Sequence, residues 1–137
     1  MFRSALWIVA ITLLTSAAQA ANTEVSIQLN KLEPNGGACR AYLVLENGTA
    51  RSFEALKLDL VMFDTDGIVA KRLAVQTAPL AAGKTSLKVF DMTGLSCERV
   101  GRLLLNDVMD CMDADGARDD CLGLLSASQR GTVPFIK

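Results

Sequence analysis

From position 24 onward, apolar and polar residues alternate in short runs broken by turn formers, the period-two pattern of half-buried β-strands. Residues 24–29 place Val25, Ile27 and Leu29 on one face against Glu24, Ser26 and Gln28 on the other. The Pro-Asn-Gly-Gly of residues 34–37 breaks this run, and a second strand is predicted over 39–46 with Cys39, Ala41, Leu43 and Leu45 on one side. Asn47-Gly48-Thr49 ends it. A third strand, 53–63, sets Leu56, Leu58, Leu60 and Met62 against Lys57 and Asp59. Its first half, 53–58, is rich in good helix formers, so a helix competes there.

Asp64-Thr65-Asp66-Gly67 between two apolar runs predicts a hairpin joining strand three to strand four, 68–75. A loop around Pro79 to Gly83 leads into strand five, 85–91, and Thr93-Gly94 breaks the chain again. Residues 102–105 read as a buried strand, 107–120 as a long acidic loop, and a last strand falls within 122–133. About seven short strands with turns at roughly 8–12-residue spacing predict an all-β fold, an immunoglobulin-like antiparallel β-sandwich.

The first twenty residues break the pattern. Arg3 precedes an apolar run over 5–14, and Ala18-Gln19-Ala20 is a small-x-small cleavage sequence. These are the parts of a secretory signal peptide, and the apolar run is shorter than the roughly 20 residues of a membrane span. The expected organisation is a signal peptide, 1–20, and one mature β-sandwich domain, 21–137. No Arg-Arg pair marks twin-arginine export and no Cys adjoins the cleavage point, so the general secretory route is expected, without stable membrane insertion after cleavage. Removing Arg3 leaves the mature part slightly acidic, with no basic footprint for nucleic acid.

All four cysteines, Cys39, Cys97, Cys111 and Cys121, lie in the mature part. An even number in a small exported domain reads as two disulfides. If successive strands alternate in direction, Cys39 opens strand two at the end where Cys97 precedes strand six, and Cys111 and Cys121 meet at the opposite end. A Cys97–Cys111 bond would have to bridge one extended strand, roughly 20 Å at ~3.3 Å per residue, against a Cα limit of about 7 Å. The expected bridges are therefore Cys39–Cys97 and Cys111–Cys121.

The chain has no histidine, which removes His-dependent hydrolases and His-ligated zinc, copper and haem sites. The acidic segment carries Asp107, Asp110, Asp113, Asp115, Asp119 and Asp120. Against a calcium loop, Asp113, Asp115 and Gly116 fit positions three, five and six, but Cys111 and Leu122 stand where the first ligand and the bidentate acid belong. A solvated acidic loop is the plainer reading, and turn chemistry accounts for the acids at 64 and 66.

Met109 and Met112 flanking Cys111 suggest soft copper(I) ligands. A disulfide would consume the thiolate, however, and residues three apart point to opposite faces of a regular strand. Nine residues between Cys111 and Cys121 are also unlike a reactive redox pair. Asn47-Gly48-Thr49 is a glycosylation sequon or a plain turn. A carboxylate-based glycosidase needs two acids beside a cleft, and the acids here fall in loops with no apolar pocket apparent.

The contexts Leu32 to Arg40 (LEPNGGACR), Met62 to Ile68 (MFDTDGI), Gly94 to Cys97 (GLSC) and Leu105 to Val108 (LNDV) resemble a family of small uncharacterised periplasmic proteins of alphaproteobacteria. Some members are labelled as carrying a twin-arginine signal, which this chain departs from. The resemblance implies a periplasmic address and two disulfides. It brings no catalytic or binding residues. More loosely, the hairpin at 63–68 and the loop at 79–83 are similar to those of bacterial immunoglobulin-like modules that mediate binding.

The functional expectation is an exported non-enzymatic binding or interaction module that uses no cofactor. Its partner would be another periplasmic or envelope protein. Alternating strands bring Asn47, the 79–83 loop and the acidic segment to one end, where contact is expected. The alternative is a calcium- or metal-stabilised structural protein.

Overall fold

Strand alternation sets the architecture. In β1 (Val25–Asn35), β2 (Ala38–Asn47) and β5 (Thr85–Met92), one face of each strand turns inward. Val25, Ile27, Leu29, Ala41, Leu43 and Leu45 of β1 and β2 are buried. Opposite them, β3 (Phe53–Asp64) contributes Leu56, Leu58, Leu60 and Met62, and β6 (Val100–Asp113) contributes Leu103 and Leu105. These two inner faces form the core.

The helix formers at the start of β3 yield to this pattern. A helix over those residues would turn Leu56 and Leu58 off a common face, and each buried leucine is worth about 1.5–3 kcal/mol. Helix propensity separates ordinary residues by at most about 0.7 kcal/mol each. Burial wins.

The computed structural model describes Ser16 and residues 23–137. The expected signal peptide and its cleavage point lie outside the described residues. The remaining elements are β4 (Val69–Gln76), a 3-10 turn at Cys97–Arg99, β7 (Gly116–Ala117), α1 (Cys121–Leu124), β8 (Leu125–Gln129) and β9 (Phe135–Ile136). One sheet has the order β5-β2-β1-β8; the other has β4-β3-β6-β7, with β9 beside β6. The sandwich is as expected. The orders β5-β2-β1 and β4-β3-β6 are those of the corresponding strands in immunoglobulin sandwiches.

Three features differ from the expectation. The sheets are mixed rather than antiparallel, because β8 runs parallel to β1 and β9 parallel to β6. The acidic stretch is only partly a loop: β6 continues through Asp107 and Asp110 to Asp113, paired with β3 as far as Phe53. Backbone pairing to the long central strand holds those acids extended, even though β-propensity disfavours Asp. Third, the segment expected to hold one last strand begins with a single helical turn, α1, and is followed by β9.

Both expected disulfides are present, Cys39–Cys97 and Cys111–Cys121. The first joins β2 to the 3-10 turn leading into β6, and so ties the two sheets together. The second ties the end of β6 to α1. Two structural disulfides belong to a protein that folds in an oxidising compartment. No helix among the described residues is long and apolar enough to cross a membrane.

Candidate functional site

The end of the sandwich holding the ends of β2, β4 and β6 and the start of β3 is organised by Asn47. Its side-chain Nδ2 donates to the carbonyls of Arg51 at 2.7 Å, Ala81 at 3.1 Å and Leu80 at 3.2 Å. Its Oδ1 accepts from the Thr49 amide at 3.0 Å and the Thr49 hydroxyl at 2.6 Å. The Asn-Gly-Thr sequence is thus a side-chain-stabilised turn. A glycan on Nδ2 has no place in the folded chain, because Asn47 is buried. The sequon reading falls.

The loop after β4 is stitched to β3. Phe53 and Leu80 exchange both backbone hydrogen bonds at 2.9 Å, and the Ala82 amide donates to the Ser52 hydroxyl. Gln76 Oε1 accepts from the Leu56 and Ala78 amides, and the Ala78–Pro79 peptide is cis. The 79–83 loop and Asn47 therefore share one network, and Phe53 also pairs with Asp113 at the end of β6. These three loop regions gather at one pole.

At this pole the chain beyond β6 turns through Gly116, whose positive φ of 113° suits glycine. Arg118 is its electrostatic centre. Its Nη1 donates to buried Asp113 Oδ2 at 3.1 Å, and its Nε and Nη2 grip both oxygens of Asp120 at 2.9 and 2.5 Å. The Asp113 carboxyl is held below its ordinary range, first by the Asp115 backbone amide that it accepts, and then by Arg118. Asp120 is lowered chiefly by Arg118. The Arg118 amide donates to the Cys111 carbonyl, and the Cys111–Cys121 bridge closes the segment. A short, cross-linked hairpin results, with Asp115 and Asp119 facing solvent.

The six acids of the expected interaction segment therefore do not act as one cluster. Asp113 and Asp120 share the Arg118 guanidinium, and Asp115 and Asp119 point outward at the pole. Asp107 and Asp110 lie some distance back on the outer face of the second sheet, opposite Asp59 and Lys57. Among the described residues no group of three or more acids or cysteines could hold a metal ion.

Met109 corrects the strand arithmetic. A bulge at that residue leaves Met109 exposed along with Met112, instead of on the opposite side. The roles of Asn47 and Arg118 were not read from the sequence. An Asx turn is a recognisable use of Asn-Gly-Thr, whereas nothing local ties Arg118 to Asp113.

Among the described residues, one cavity lies away from this pole, at the β1 bulge beside Cys97 and the 131–133 segment. It measures about 240 Å³ and no acid lines it. Small-molecule pockets usually span about 300–1,000 Å³.

No family model and no curated protein matches this chain. Among solved structures it is similar to IrmA from Escherichia coli, at 15% sequence identity with a TM-score of 0.57. The match covers 80% of this chain and 95% of that one. At that identity the likeness concerns the fold alone.

Proposed function

We propose that this chain is an exported, non-enzymatic binding module of the bacterial periplasm, which offers its loop pole to another envelope protein. The observation that carries the reading is a rigid pole. Asn47, the 79–83 loop and the Arg118 hairpin are fastened by hydrogen bonds and a disulfide, yet the tip still projects solvated carboxylates. Loops held on a stiff scaffold are where sandwich domains bind, and a pre-ordered loop loses less entropy on association. Asp115 and Asp119 suit a basic partner surface.

The export segment at 1–20 and the resemblance to periplasmic proteins support the address. The calcium-stabilised alternative is weakened because Arg118 already occupies Asp113 and Asp120. It predicts a melting temperature that rises with calcium and falls with chelator.

The test is affinity capture with cross-linking from periplasmic extract. It compares the native chain with a variant whose residues 114–119 are replaced by Gly and Ser. The expected outcome is a partner retained by the native chain and lost by the variant. An identical set of captured proteins would overturn the reading.

A further inference from the structure

The second sheet turns an unusual outer face to solvent. At the end near the β3–β4 turn, Phe63 lies between Val69 of β4 and Arg102 of β6, and Arg102 covers the Phe63 ring at 4.4 Å. Next along, Val61 pairs with Leu104, which pairs with Ile136 of β9. Val69 is 58% exposed and Ile136 39%. At the other end of the same face stand Asp107 and Asp110, with Met109 and Met112 exposed between and beyond them. The face is cationic and apolar at one end; at the other it carries two aspartates and thioethers, with Lys57 across from Asp110. Among the described residues Arg102 has no carboxylate partner, and Asp110, across the strands from Lys57, forms no ion pair.

The β4 edge beside this face and the β5 edge of the other sheet each carry an inward lysine. Lys71 on β4 and Lys88 on β5 sit opposite the fully buried Met62 and Leu43, so both turn toward the sandwich interior. An inward charge on an edge strand obstructs pairing with another chain.

We infer that the outer face of β3 and β6 binds a second copy of this chain. A two-fold axis lying across the strands near Asn106 brings Arg102 of each copy over Asp110 of the other. The same operation stacks β3 on β3 and sets Phe63 over Lys57 of the other copy. Bulges on β6 leave Arg102 and Asp110 opposite Phe63 and Lys57, six positions apart on β3 and roughly 20 Å at ~3.3 Å per residue, so the axis falls between them. A partner of unrelated sequence would need this alternating pattern by chance, whereas a second copy carries it by symmetry.

Three strands about 4.8 Å apart and some 20 Å long offer about 300 Å² per copy. Stable complexes bury about 1,200–2,000 Å² in total. The association is therefore weak, reversible and sensitive to salt. It goes beyond the pole reading and does not depend on it.

Sedimentation velocity on the mature, disulfide-bonded chain tests the inference, from about 5 µM to about 1 mM, at low and high salt. The native chain moves from monomer to dimer as concentration rises, and high salt reverses the shift. Arg102→Glu and Asp110→Arg each weaken the dimer about tenfold or more, because like charges then face each other. The double variant restores it. Circular dichroism confirms that each variant is folded, as expected for exposed positions. A native chain that stays monomeric throughout overturns the inference. So does a dimer indifferent to both single swaps, or a folded double variant without rescue. The swaps leave the 114–119 hairpin intact, so loss of the dimer with partner capture preserved separates this inference from the pole reading.

Discussion

Single residues at close approaches carry much of the specificity of this fold. Gly101 lies where β6 passes behind the β3–β4 turn; a Cβ there would stand 2.2 Å from the Asp64 carbonyl oxygen. Because backbone must give way, Gly101→Ala is expected to cost about 1–3 kcal/mol, the range for overpacking. Gly131→Ala, which meets nothing within 4 Å, is the control in the same urea titration; equal stability of the two variants would refute the account. Asp59 is a second such residue. Buried on β3, it accepts from Arg72 Nε at 2.7 Å and Nη2 at 2.8 Å, and from Asn106 Nδ2 at 2.8 Å.

Those bonds, Arg72 first, hold the Asp59 carboxyl below its ordinary range. A group whose folded pKa is depressed stabilises the fold above its unfolded value, about 3.9, and loses that contribution as pH falls through the lower folded value. Unfolding free energy is therefore expected to be level above about pH 5 and to decline toward pH 3, with a shallower decline in Arg72→Ala. Denaturant titrations across that range measure it. Parallel slopes for both proteins would contradict the assignment.

At the scale of elements, the edge strands show how β-sheets of this kind stay apart. Leu87 and Val89 leave β5 with an exposed apolar outer row, 59% and 39% accessible, and Lys88 between them points the other way, beside Leu43. Replacing Lys88 by Val removes the obstructing charge and leaves a flat apolar edge. Light scattering after size exclusion is expected to show higher-order species for Lys88→Val but not for Lys88→Arg. A native elution profile for the valine variant would mean that the edge is protected in some other way. This edge lies on the sheet opposite the proposed dimer face, so the two effects are separable by the Arg102 and Asp110 swaps.

Over the whole molecule, the two bridges differ in reach. Cys39–Cys97 spans 58 residues and joins the sheets, whereas Cys111–Cys121 spans 10 and restrains one hairpin. In the chain-entropy model their contributions are about 4 and about 2.7 kcal/mol. Against net stabilities of about 5–15 kcal/mol, loss of the first is expected to leave the domain marginal, while loss of the second mainly loosens the pole. Chemical denaturation of the two paired Cys→Ala variants ranks them; equal losses would speak against this division of labour.

The sandwich, the two cysteine pairings, the hairpin at residues 64–67 and the meeting of three loops at one pole were legible in the chain itself. Each depends on local alternation, on turn chemistry, or on strand direction counted from element to element. Only the folded structure decided the parallel returns of β8 and β9, the extension of β6 through its acids, and the division of the six carboxylates between pole and sheet face. Those features come from pairing between segments far apart in sequence, where a neighbouring strand or an arginine offsets what local propensity disfavours. Alternation along one strand carries no information about such distant partners.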